Sequence, residues 1–251
     1  MVWYKIDKEV EMLKAENLTK VYEDGTRALT NLNLEVREGE IYCLLGANGA
    51  GKTTTINLFL NFIPPTSGKA YINGIDVTAY PLEAKKYVSY VPEVCMLYGN
   101  LKAIQNLDFF AKLGGKRDLK KEDYYRVMKR VGLEEEWYEK RVKHFSKGMR
   151  QKLALAIAII KGAENMLLDE PTAGLDPKAA HEFMEILREL RNEGKAILMS
   201  THDIFRAKEI ADRIGIMKEG FLVAEMTSKE IENQNLENLY LQYMESSKSL
   251  L

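Results

Sequence analysis

Half-cystine pairs, spanning segments and charge surplus are all missing from this chain. Its 251 residues hold two cysteines, Cys43 and Cys95, at no metal-ligand spacing, which removes a disulfide framework and a cysteine-based zinc site. Cys43 lies in an apolar run and reads as a buried, reduced thiol of a cytosolic protein. The longest purely apolar stretch runs from Leu153 to Ile160, far too short to cross a bilayer. The first residues, Met1-Val-Trp-Tyr-Lys-Ile-Asp7, lack the apolar core of a signal peptide. Lys and Arg number 36 against 37 Asp and Glu. That balance argues against a constitutive nucleic-acid binder, which needs cations for phosphate contacts. No internal repeat or low-complexity segment is visible. With 46% hydrophobic residues, the composition is that of an ordinary globular protein, and one α/β domain accommodates the whole length.

Residues 11–38 read as short strands, with Asp24-Gly25 as the turn between 18–22 and 28–36. Residues 41–45 form a short apolar run suited to a buried strand. A helix is expected over 53–61, stopped by Pro64-Pro65, and strand-like pieces return at 70–73 and 87–91. From about 95 to 162 the pattern turns helical, with apolar positions at Ile104, Leu107, Phe110 and Leu113. Further helices are expected over 124–131, 137–142 and 147–160. Strands are then expected at 165–168 and 196–200 around an amphipathic helix over 177–192. A hairpin over 214–224 follows, with Lys218-Glu219-Gly220 as its turn. Thr227 and Glu230 resemble a capping box. Residues 237–242 look like a protease tag, but Leu241 breaks that pattern and a native helix is expected.

The chemistry concentrates in three places. Gly46-Ala-Asn-Gly-Ala-Gly-Lys52-Thr53 fits G-x-x-x-x-G-K-[ST]. Gly46, Gly49 and Gly51 let backbone N–H groups around Asn48 approach phosphate oxygens without Cβ clashes, at the N-terminus of the following helix. Lys52 supplies charge for the terminal phosphates, the Thr53 hydroxyl suits Mg²⁺, and Thr54 completes the candidate nucleotide contacts. The glycines alone loosely suggest a dinucleotide turn; the Lys-Thr pair decides against it. Second, an apolar strand ends in Asp169-Glu170, where open α/β sheets place ligand-binding groups. Asp169 suits Mg²⁺, and Glu170 suits polarising a water for attack on a γ-phosphate. Third, His202 follows the strand at 196–200 and is placed to contact the γ-phosphate. His144 and His181 read as structural or simply exposed.

Phe145-Ser-Lys-Gly-Met149-Arg-Gln-Lys152 completes a set that resembles the ATP-binding-cassette (ABC) ATPases over nearly the whole chain. The resemblance implies a P-loop α/β core with an antiparallel β subdomain and a helical signature subdomain. It implies one domain, 1–251, with 1–94 and 163–251 as nucleotide-binding core and 95–162 as helical insert. In the family the signature is usually Leu-Ser-Gly-Gly-Gln and caps ATP held by the opposite subunit; the matching positions are Ser146 and Gly148. Lys147 and Met149 depart from that pattern. The resemblance further assigns Tyr22 to stacking on adenine, Asp176 to the loop crossing the dimer interface, and Glu93 to a position usually held by a glutamine beside Mg²⁺.

ATP and Mg²⁺ are the implied cofactors. A second ABC ATPase subunit and an integral-membrane permease are the implied partners, which places the chain at the inner face of the cell membrane. The signature variant and Pro92-Glu93 look more like export ATPases of the ABC-2 or multidrug group than importers. The rivals are a non-transport ABC ATPase of translation or DNA repair and a low-turnover regulatory subunit. The mixed basic and acidic residues over 112–130 and 140–152 read as a solvated face, or else as a contact for headgroups or a permease loop.

Overall fold

The computed structural model describes residues 11–233 and 236–245; the N-terminal heptapeptide considered above lies outside them. Two strands of eleven residues, β1 (Glu11–Val21) and β2 (Arg27–Arg37), open the fold. Their hairpin turns at Gly25, φ 84°, and Asp24 accepts the Thr26 N–H at 2.9 Å, so the short acid closes the turn locally. β3 (Ile41–Leu45) follows, then α1 (Lys52–Phe59), β4 (Ser67–Ile72) and β5 (Ile75–Asp76). A one-turn helix, α2 (Pro81–Ala84), precedes β6 (Val88–Val91).

Three helices come next: α3 (Ala103–Leu113), α4 (Lys121–Arg130) and α5 (Lys147–Lys161). The helix expected over 137–142 is absent. Only the 3₁₀ turns Glu135–Trp137 and Val142–His144 form there. The intervening backbone is used elsewhere: the carbonyls of Tyr138 and Lys140 accept the N–H groups of Ile104 and Ala103 at 3.1 and 3.0 Å. Those donors open α3 and have no partner within it, so serving them outweighs one more short helix.

β7 (Asn165–Asp169), α6 (Pro177–Asn192), β8 (Ala196–Thr201), α7 (Ile204–Ile210) and β9 (Arg213–Lys218) restore the strand–helix alternation. β10 (Phe221–Thr227), α8 (Ser228–Asn233) and α9 (Leu236–Glu245) close it. Glu230 accepts both the N–H and the hydroxyl of Thr227 at 2.8 Å, so the Glu half of the capping box forms. α9 covers the stretch with the tag-like pattern.

The strands form two sheets, β2-β1-β4-β5, antiparallel, and β10-β9-β3-β8-β7-β6. The larger is parallel from β9 to β6, with β10 antiparallel at one edge. Every residue of β3 is fully buried, as a central strand covered on both faces requires. Its alternation divides the interior. Ile41, Cys43 and Leu45 join a core shared with α3, α4, α5 and α6. Tyr42 and Leu44 join a second one, with α1 and the antiparallel sheet.

Candidate functional site

Three neighbouring strands of the larger sheet, β3, β8 and β7, deliver their carboxyl ends side by side. Leu45 pairs with Thr201, and Asp169 with Ser200. Parallel strands in that register put the 46–53 loop, His202 and the Asp169-Glu170 pair at one edge, the usual ligand crevice of an open α/β sheet.

The loop needs glycine for two different reasons. At Gly46 a Cβ would meet the Met217 carbonyl at 2.5 Å, so space is the constraint. Gly49, φ 80°, has nothing within 4 Å, so backbone conformation is the constraint there. Gly51 needs both, with φ 105° and the Ala28 carbonyl at 2.6 Å. Asn48 stands exposed between them. Lys52 is 5% exposed, and its Nζ donates to the carbonyls of Gly46 and Ala47 at 2.6 and 3.1 Å. It stands 3.3 Å from Glu170 Oε1.

Thr53 donates its hydroxyl to Asp169 Oδ1 at 3.1 Å. Ser200 donates to the same oxygen at 2.5 Å and its Oγ accepts the Glu170 N–H at 2.9 Å. Glu170 has φ 44°, a left-handed conformation that costs a non-glycine residue about 1–3 kcal/mol. The bonds of its N–H to Ser200 hold it there. Glu170 Oε2 lies 2.9 Å from His202 Nδ1, while Oε1 is buried without a hydrogen bond. The carboxylate is thus clamped between a lysine and a histidine, with one lone-pair face left to accept. His202 is exposed over 55% of its side chain.

These residues fit a Mg-nucleotide. The loop has the form of a phosphate cradle, whose backbone a Cβ at Gly46 or Gly51 would force out of place against the Met217 and Ala28 carbonyls. Thr53 and Asp169 present adjacent hard oxygen donors, the sparse protein set that suits Mg²⁺ when phosphates supply the rest. Tyr22 lies beside this cradle, with its hydroxyl 3.5 Å from Thr54 Oγ1 and Lys20 over its ring. Glu93 is exposed, two residues beyond Val91, which pairs with Leu168; it therefore follows the strand next to the Asp-Glu pair.

Ser146, Gly148 and Asp176 form a separate group. Ser146 is the N-cap of α5, accepting the Met149 N–H at 3.2 Å. Asp176 is the N-cap of α6, accepting from Ala179 at 2.9 Å. Gly148 faces Leu175 and Ala179, and the Lys147 side chain lies over Gly174. No hydrogen bond or ion pair among the described residues joins this group to the 46–53 loop. Met149 is half-buried against the core.

Residues 29–173 match the family described as ABC transporter. The chain belongs to that family. The cassette is 36% identical over 241 residues to the bacitracin transport ATP-binding protein BcrA of Bacillus licheniformis, covering 96% of this chain and 78% of that one. It is also 36% identical over 214 residues to the human phospholipid-transporting ATPase ABCA3, covering 84% of this chain but 12% of that protein's length. Among solved structures, the dimeric ABC transporter cassette MJ0796 superposes with a TM-score of 0.80 at 30% identity, covering 86% of this chain and 99% of that one.

Two residues of the cassette's site escape sequence reasoning. Ser200 reads simply as a strand residue, although it holds both acids. Gln151 in α5 reads as an ordinary polar helix position, although it is 2% exposed. Neither type carries a pattern of its own; a polar residue ending an apolar strand is the available signal for Ser200. α7 is a further element that apolar periodicity does not announce, though Asp203, which accepts the Arg206 N–H at 3.1 Å, is a readable N-cap.

Proposed function

We propose that this chain is the ATP-hydrolysing subunit of an ABC exporter, powering a separate membrane permease. The observation that carries the reading is Glu170, its backbone strained and its largely buried carboxylate held between Lys52 and His202, beside the Thr53–Asp169 pair. ATP bound with Mg²⁺ supplies an activated γ-phosphoryl group, and the side chains do the rest. Lys52 and the 46–53 amides bind and orient the phosphates, and Thr53 and Asp169 are the candidate Mg²⁺ ligands. Tyr22 offers a stacking face for the base. Glu170 Oε1 orients an attacking water and receives its proton, while His202 Nδ1 steadies Oε2 and leaves Nε2 to face the γ-phosphate.

Ser146 and Gly148 belong to the opposite face of a head-to-tail pair, in which each ATP lies between one loop and the other cassette's α5 N-terminus. The dimeric cassette with a similar fold supports that pairing. The bacitracin relative, a transport ATP-binding protein, supports the transport reading. No described helix is long and apolar enough to cross a membrane, so work on a membrane substrate is assigned to a permease on whose inner face the chain docks. The whole of 1–251 acts as one ABC ATPase domain, with 95–162 as the helical insert between 1–94 and 163–251.

Glu170→Gln tests the assignment. It keeps the shape and removes the base, so the variant should bind ATP, turn over poorly and elute as a dimer with Mg-ATP in size-exclusion chromatography. Native turnover with no dimer would sink it.

A further inference from the structure

The 46–53 loop leans on the turn between β9 and β10. That turn reverses through Glu219, φ 48°, and Gly220, φ 85°, the pair of positive angles a tight hairpin needs. Glutamate holds such a conformation only where its surroundings enforce it, and here they do. Gly220 donates its N–H to the Ala50 carbonyl of the loop at 3.1 Å and accepts the Thr30 N–H of β2 at 2.8 Å. A Cβ on Gly220 would meet the Ala28 backbone at 3.1 Å. Just before the turn, the Met217 carbonyl stands against Gly46 and the Met217 methyl against Gly51. The turn is thus wedged between β2 and the back of the phosphate loop.

Lys218 begins this turn, and its Nζ donates to the Tyr243 carbonyl at 2.9 Å. Tyr243 lies in the last turn of α9, where carbonyls lack a partner within the helix and carry the negative end of its dipole. A lysine there satisfies an orphan acceptor and meets favourable charge. α9 also packs through Leu239, Tyr240 and Tyr243 onto the core that holds Ala207 and Ile210 of α7, the helix that follows His202. With ten residues, α9 is marginal as an isolated helix in water, so its order depends on being docked.

We propose that Lys218 is a positioning residue that couples the docking of α9 to occupancy of the phosphate loop. Phosphate held by the loop fixes the turn, and the fixed turn keeps Lys218 on the Tyr243 carbonyl. By linkage, docked α9 favours nucleotide by the same factor. Whatever draws α9 away from the core therefore lowers nucleotide affinity. The inference rests on the reading of 46–53 as a phosphate site, and adds to it a second place from which affinity is set.

Amide hydrogen exchange of the full chain, read by mass spectrometry with and without Mg-ADP, tests the coupling. ADP fills the loop without turnover and lacks the γ-phosphate on which the proposed dimer depends. Exchange over 236–245 should slow about fivefold with ADP, the low end of usual couplings. Lys218→Met keeps the stem and removes the charge. It should quicken α9 exchange, abolish the ADP response and weaken ADP binding about fivefold by titration calorimetry. Its kcat at saturating ATP should stay within about twofold of native, the split of lost binding rather than lost chemistry. Lys218→Arg keeps a charged donor and should restore the ADP response. A residue that only stabilised the fold would quicken α9 exchange and leave the ADP response in place. An ADP response that survives in Lys218→Met, or unchanged ADP affinity there, overturns the proposal. The native chain decides even if Lys218→Met does not fold. ADP protection of 46–53 without protection of α9 overturns the coupling and leaves the phosphate site standing. Protection of neither segment overturns both.

Discussion

The two groups of site residues in this chain are built by different means. Lys52, Thr53, Asp169, Glu170 and His202 come from three strand ends and are bonded to one another across the sheet. Ser146, Gly148 and Asp176 sit at the starts of α5 and α6, and the side chains of Ser146 and Asp176 bond as helix caps within their own turns. The first group is already in contact within one chain: Lys52 meets Glu170, Glu170 meets His202, and Thr53 meets Asp169. The second has local order, and no hydrogen bond or ion pair among the described residues joins it to the first. That division is what the proposed assembly of two copies or relatives around nucleotide requires.

Substitutions should separate the halves, and the largest effect belongs to the strand-end group. Glu170→Gln should lower kcat by about 100-fold or more, the scale of losing a positioned base, in a steady-state phosphate-release assay. Lys52→Ala should weaken nucleotide affinity by about 10- to 100-fold, the worth of a charged hydrogen bond to phosphate, as read by titration calorimetry. Ser200→Ala should lower kcat by about 10-fold, because Asp169 and Glu170 each lose one of the bonds that hold them, with little change in melting temperature. Ser146→Ala should leave monomer nucleotide affinity unchanged and abolish the ATP-dependent dimer, while costing about 1 kcal/mol of stability through the lost cap. Ser146→Ala weakening ATP binding to the monomer would break the comparison, since it would put both groups at one site within the chain. The smallest effect concerns Cys95, whose thiol burial pushes its pKa up to about 11. Its labelling by DTNB should therefore quicken about tenfold per pH unit between pH 7 and 9, as the thiolate fraction grows.

Much of this site is legible in the amino-acid sequence. The 46–53 loop, Asp169-Glu170 and His202 follow apolar runs, and short apolar runs ending in polar residues are what buried parallel strands look like in sequence. Those elements form within a residue or two of their expected bounds. The segment 137–142 departs from expectation because apolar periodicity says nothing of whether a neighbouring helix start needs those carbonyls. Ser200 and Gln151 carry no pattern that names their roles, because their partners lie 31 and 56 residues away, in Asp169 and Cys95.

By itself, the sequence determined which groups are on offer: a glycine-rich loop with a lysine after one strand, two acids after a second and a histidine after a third. Local rules suffice for that, since turn conformation, helix starts and strand burial depend on residues close along the chain. Tertiary structure decided the rest. The strand order β3-β8-β7 sets those residues side by side, although 116 residues separate Thr53 from Asp169. The packing of α5 brings Gln151 to the Pro92 carbonyl and the Cys95 thiol. Strand register and buried hydrogen bonds between distant residues have no local signature, because their energy exists only once the core has closed around them.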